Sequence, residues 1–228
     1  MKIAYFCEPQ LGGTYTFFRR LRPELSRLGI DFRCIPPVSA EKFAGSRFAG
    51  DEGVDFVTLS AELPVATGQI IEFLQQNRYD QVMVLPAADI LSSNLPAYLP
   101  RTIRCAMRVP MMTRGAYAPT QAVHRHLNRI HAVSDRIADD LVAHYTIPRE
   151  QIDVIYHGVD PELFHDVSES KLTTGPLNVL YAGRLWDIDK GVFLLPVMMA
   201  ELEKARADVK LTVAGGGPDE AELRRRFE

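Results

Sequence analysis

Short, nearly continuous apolar runs alternate along this chain with longer stretches in which apolar residues recur every three or four positions. KIAYF (Lys2 to Phe6) reads as a buried strand. In the following LGGTYTFFRRLRPELSRLG, Phe17, Phe18, Leu21, Leu25 and Leu28 fall on one helical face, and Gly29 ends the pattern. Pro23 interrupts it, either kinking one helix or opening a second at its first turn. Further strands are predicted at Phe32 to Ile35, Asp55 to Leu59, QVMVLP ending at Pro86, Thr102 to Val109, Arg129 to Ser134 and IDVIYHG, about seven in all. Helices are predicted near Gly68 to Asn77, weakly over Ala88 to Leu99, and toward Tyr145 from a cap at Asp135. A Gly-bearing loop spans Ser39 to Gly53. Such alternation is the signature of parallel βαβ units, and the predicted class is α/β.

The pattern breaks at HDVSESKLTTGP (His165 to Pro176), a polar stretch with Ser, Thr, Gly and Pro that reads as an interdomain linker. The expected organisation is a first domain over residues 1–165, a linker over 166–176 and a partial second domain over 177–228. The second domain restarts the alternation with a strand at Leu177 to Ala182, a helix at Val192 to Ala205, a strand at Lys210 to Ala214 and a helix from Pro218. Two strands and about one and a half helices leave sheet edges uncovered, so this part either docks on the first domain or belongs to a longer chain. The expectation is a fragment.

Composition narrows the function classes. Apolar residues make up 46% and charged residues 24% of the 228, an ordinary balance for a folded domain rather than a disordered one. The net charge of −3 offers no global attraction for nucleic acid or an anionic membrane, so any anion needs a local site. FFRRLR and RTIRCAMR carry the basic-aromatic chemistry of peripheral contact with lipid phosphate, but in a net-negative chain they read first as solvated faces. Cys7, Cys34 and Cys105 are odd in number and widely spaced, which fits thiols in a reducing cytoplasm. HRHLNRIH (His124 to His131) has no ordinary metal-ligand spacing, and no metal is expected. His131, inside a predicted strand, reads as a satisfied buried imidazole.

The chemistry-bearing residues cluster late in the chain. In GRLWDIDKG, Arg184 and Lys190 lie between Gly183 and Gly191, after the first strand past the linker. In VAGGGPDE, Gly215, Gly216 and Gly217 precede Pro218 after the next strand. A pyrophosphate needs backbone amides that can approach closely and fixed positive charge, and loops after parallel strands supply both. Arginine offers a planar fork and lysine a flexible point charge, though both also occur as solvated loop residues.

The ordered segments LGGTYTF, HAVSDRIADDL, IDVIYHGVDPELF, LYAGRLWDIDKGV and LTVAGGGPDEAEL resemble the retaining GT-B glycosyltransferases of family 4, the group 1 glycosyltransferases, over nearly the whole chain. The resemblance implies two facing Rossmann-like domains, the first on the acceptor side and the second binding a nucleotide-sugar donor. It implies that Arg184 and Lys190 grip the donor diphosphate and stabilise the charge growing on it, and that Gly12 and Gly13 present backbone amides to the same group. A tight βα turn is the other reading of the glycine pair. Gly183, Gly215, Gly216 and Gly217 join the donor-binding set by the same implication. No metal cofactor is required, and the acceptor is a saccharide, a lipid-linked species or a small molecule. The oligomeric state is left open.

Three departures qualify the match. The Arg184–Lys190 interval is one residue longer than the commonest family spacing, and His157 stands where the family usually has Asn, with a hydrogen-bonding structural role expected. The family commonly has a His after the strand equivalent to Thr102 to Val109; here the sequence reads AMRVPMMTRGAY, leaving Arg108, Thr113 or Arg114 as donor or acceptor contacts. The family's acidic motif would lie past Glu228, so this chain alone is expected to be inactive or slow. Two other readings remain: a non-catalytic or partner-dependent binding subunit of the same fold, and a sugar-nucleotide epimerase.

Overall fold

Parallel strands need long crossover connections, and helices supply them. The structure, a computed structural model, shows this arrangement. It describes residues 1–10, 12–37, 48, 50–86, 90–163 and 175–228. The chain divides into two units, Met1–Val159 and Asp160–Glu228.

In the first unit, β1 (Lys2–Tyr5), β2 (Asp31–Cys34), β3 (Gln81–Val84), β4 (Arg104–Val109), β5 (Arg129–Ala132) and β6 (Ile152–Val154) form one parallel sheet. Their order is β2-β1-β3-β4-β5-β6. Among the described residues its helices are α1 (Gly13–Arg27), α2 (Leu63–Gln76), α3 (Ile90–Asn94), α4 (Arg114–Val123) and α5 (Asp135–Tyr145). Alternate strand residues face opposite sides of a sheet. Ala4, Val82, Val84, Cys105, Met107, Val109 and Ile130 accordingly join the core against α2, α4 and α5, while Ile3, Tyr5, Phe32 and Cys34 pack with Tyr15 and Phe18 of α1.

Several local expectations change. Pro23 lies inside α1, a single helix that begins at Gly13. The predicted strand at Asp55 to Leu59 is absent: one bridge joins Cys34 to Val54, and the stretch beyond is fixed by side chains instead. Asp55 accepts from Arg33 Nε at 2.7 Å and from the Tyr79 hydroxyl at 3.0 Å. Among the described residues the sheet of this unit therefore has six strands rather than about seven. Ser134, not Asp135, caps α5, its hydroxyl accepting from the Ile137 amide at 3.4 Å; Asp135 is the first helical residue. Parts of the predicted Ser39–Gly53 loop, the Ala88–Leu99 helix and most of the 166–176 linker lie outside the described residues.

In the second unit, β7 (Leu177–Ala182) and β8 (Val209–Ala214) pair in parallel along their whole length. They are joined through α6 (Asp187–Lys190) and α7 (Leu194–Lys204), and α8 (Glu220–Phe227) follows, starting two residues after Pro218. Leu185, Val192 and Leu223 form the buried centre of this unit. Among the described residues no helix is long and apolar enough to cross a membrane.

Candidate functional site

The two glycine-bearing turns of the second unit are one hydrogen-bonded structure. Parallel pairing places the ends of β7 and β8 side by side, and the ladder runs on into both loops. The Gly183 amide donates to the Ala214 carbonyl and the Leu185 amide to the Gly216 carbonyl, both at 3.0 Å, and the Asp219 amide donates to the Leu185 carbonyl at 3.1 Å. The Asp219 carboxylate accepts from the Asp187 amide at 2.6 Å, and Asp187 in turn accepts from the Phe193 amide at 2.8 Å. Arg184 is thus held between two anchored residues with its side chain exposed, its guanidinium 4.9 Å from the centre of the Trp186 ring. Lys190 is exposed at the end of α6, a single turn that occupies the interval after Arg184.

The glycines of these turns divide by what surrounds them. A Cβ on Gly215 would overlap the Gly183 carbonyl, and one on Gly217 would overlap the backbone of Leu185, so loop-on-loop packing by itself demands glycine at both. Gly191 ends α6 at φ +61°, a left-handed cap that glycine adopts without a Cβ clash. At Gly183 a Cβ would come within 3.1 Å of the Tyr181 hydroxyl. Gly216 is more open, with only Glu220 Oε2 at 3.8 Å.

The first unit offers a helix terminus. α1 begins at Gly13 with no side-chain cap and no acidic residue in its first turn. The first amides of a helix have no intrahelical acceptor, and their dipoles favour an anion. Among the described residues a Cβ on Gly12 or Gly13 would meet nothing within 4 Å, and Gly12 has φ +153°.

A second feature of this unit is a buried arginine. Arg108, on the α1 side of β4, is 1% exposed. Its guanidinium stacks on Phe17 with 4.2 Å between the guanidinium carbon and the ring centre, and its Nη2 donates to His157 Nε2 at 3.2 Å. Its register partner on β5 is His131, whose Nε2–H donates to the Ile155 carbonyl at 2.8 Å. His131 is therefore the satisfied imidazole expected. His157 carries a structural hydrogen bond while itself exposed. Burial, then the Arg108 charge, holds His157 below the usual imidazole range; burial foremost does the same for His131, with Arg108 and His157 adding to it. Of the other predicted contacts, Thr113 is the N-cap of α4, accepting from the Ala116 amide at 3.2 Å, and Arg114 is the exposed first residue of that helix. Sequence reasoning singled out Arg108 without signalling its burial, because a strand residue's burial depends on what covers its face.

Residues 11–163, about two thirds of the chain, match the family model described as Glycosyltransferase Family 4. The match ends before Arg184 and Lys190. Among solved structures, a glycosyltransferase from Rickettsia africae aligns with a TM-score of 0.69 at 17% identity, covering 99% of this chain and 63% of that one. A UDP-GlcNAc 2-epimerase from Neisseria meningitidis, bound to UDP-GlcNAc, aligns at 0.56 and 12% identity, covering 100% and 68%. MurG from Acinetobacter baumannii aligns at 0.53 and 12%, covering 99% and 63%. The chain thus spans less than two thirds of the Rickettsia and Acinetobacter structures. No curated protein matches it. At these identities the likeness establishes the fold, α/β of the GT-B type.

Proposed function

This chain belongs to glycosyltransferase family 4, and we propose that it moves a sugar from a nucleotide-sugar donor to an acceptor with retention of anomeric configuration. The observation that carries this reading is the tied pair of turns after β7 and β8, which holds Arg184 and, one helical turn on, Lys190 at the carboxyl ends of parallel strands. Open α/β sheets bind ligands at those ends.

In the proposed mechanism, Arg184 and Lys190 bind the donor diphosphate and neutralise the negative charge that grows on it as the glycosidic bond breaks. Stabilisation aimed at developing charge lowers the barrier more than it tightens ground-state binding. Gly216, with an open face, gives the diphosphate a further backbone donor. Retention follows if the acceptor enters on the face the nucleotide leaves, with a leaving phosphate oxygen taking the acceptor proton; no protein nucleophile and no metal is needed. This chain's residues bind and orient both substrates.

The test is transfer from a radiolabelled nucleotide sugar by the full-length protein, beside Arg184→Ala and Lys190→Ala. Unchanged turnover in both variants would remove these residues from the mechanism. The epimerase reading draws support from the shared fold alone, and a changed sugar configuration in the absence of any acceptor would favour it.

A further inference from the structure

Arg108 is a buried cation that makes no salt bridge to a carboxylate among the described residues. Among the described residues the groups that act on its charge are Tyr5 and Cys7, both weak acids whose own burial holds them protonated. The two imidazoles beside it are held in the neutral form. Burial disfavours the charged guanidinium, with Tyr5 and Cys7 only partly opposing that. Its Nε and Nη1 are buried without a well-formed hydrogen bond, and the neutral Tyr5 hydroxyl beside it is the polar group that faces the guanidinium. Buried arginines are normally matched by carboxylates, because withdrawing an ion from water without a partner is costly. Two buried guanidinium nitrogens without a well-formed bond, facing only a neutral hydroxyl, mark a polar centre that has no anion among the described residues.

Its position makes that lack informative. Arg108 lies near the carboxyl end of a central strand, on the face where Phe17, one turn into α1, covers it. The side chain on its Nη2 is His157, which is exposed and sits on the irregular segment after β6. His157 thus joins the buried guanidinium to the exposed surface, and its ring offers only a weak, neutral acceptor. A carboxylate or phosphate oxygen would make a charge-assisted bond in its place.

We propose that Arg108 is the anion-binding residue of the acceptor side: the acceptor carries a phosphate or carboxylate whose oxygens displace the His157 ring and pair with the guanidinium. The word acceptor rests on the transferase reading above; the anion site does not. Tyr5, close by, supplies a hydroxyl donor to the same oxyanion. Neutral His131 and His157 leave the site with one net positive charge, suited to a single anionic group rather than to a diphosphate.

The experiment is a titration of the histidine ring resonances of the 228-residue chain by NMR, without donor. The probes are methyl phosphate and acetate, each against sodium chloride at matched ionic strength. The expected result is a saturable shift of the His157 and His131 signals with at least one oxyanion, retained in the Arg184→Ala/Lys190→Ala chain and lost in Arg108→Met. Response to methyl phosphate only points to a phosphorylated acceptor, response to acetate only to a carboxylate, and either supports the site. Should Arg108→Met fail to fold, Arg108→Lys keeps the charge but loses the planar fork, and at least tenfold weaker binding is expected. No saturable shift in the unaltered chain, or the same shift in a folded Arg108 variant, overturns the proposal. Because no turnover is measured, the result stands apart from the fate of the transferase reading.

Discussion

The Leu185 amide donates to the Gly216 carbonyl at 3.0 Å, tying the loop that bears Arg184 to the triple-glycine turn thirty-odd residues later in the chain. A cation on a free loop pays side-chain and backbone entropy when it binds; one held between two anchored residues has less to lose.

This tie makes the three glycines unequal. Gly217→Ala drives a methyl into the Leu185 backbone and is expected to destabilise the second unit by about 1–3 kcal/mol, as overpacking does. Gly216→Ala finds ordinary space and is expected to leave the melting curve unchanged. Differential scanning calorimetry of the two variants checks the contrast.

Arg184→Ala and Lys190→Ala remove exposed side chains, so both proteins are expected to fold within about 0.5 kcal/mol of the parent. Transfer is expected to fall on the order of 100-fold in each, the scale of losing one donor to developing charge. Steady-state rates at saturating donor, with circular dichroism as the folding control, decide it.

Asp55→Asn breaks the clamp on Arg33 and Tyr79, with an expected loss of about 1.5–3 kcal/mol, the range for hydrogen bonds to charged groups. Burial pushes the Asp55 carboxyl up, but Arg33 first and then Tyr79 more than reverse this, so its folded pKa lies below the unfolded one. The clamp's contribution is thus fully present above the ordinary carboxylate pKa, about 3.9, and is lost as pH falls through the depressed folded value. Urea titrations at neutral pH and near pH 3 are expected to show a large gap between parent and variant at the first and a smaller one at the second.

All three cysteines are buried. Burial pushes Cys105 up to about 12 and Cys7 well above its ordinary value, and thiolate is the reactive form. Iodoacetamide at pH 8 is expected to leave the native chain unlabelled within minutes and to label three sites after denaturation, as read by intact mass.

The strands with dense apolar runs were legible in the sequence: Leu177–Ala182 matches its predicted bounds, and β1 and β3 fall within theirs. These runs are legible because a short, nearly continuous apolar run bounded by turn residues is itself a strand signal, whatever covers its faces. Asp55 to Leu59 misled because it has strand-like residues but no ladder beyond Cys34 and Val54; pairing is a property of two segments, and one segment's composition does not reveal the other. Ser134 took the cap from Asp135 because capping needs extended backbone before the first turn, and adjacent candidates differ only in that geometry.

The candidate site divides in the same way. The sequence by itself determined the α/β class, the glycine-bearing turns and the placement of Arg184 and Lys190 after a strand, since local periodicity and residue chemistry suffice for these. Only the tertiary structure decided that Gly215 and Gly217 serve loop packing, that Thr113 caps a helix, and that Arg108 is buried against Phe17 with no carboxylate among the described residues paired to it. The physical reason is that burial, close approach and the pairing of charges are set by residues far apart in the chain, whose meeting the fold alone arranges.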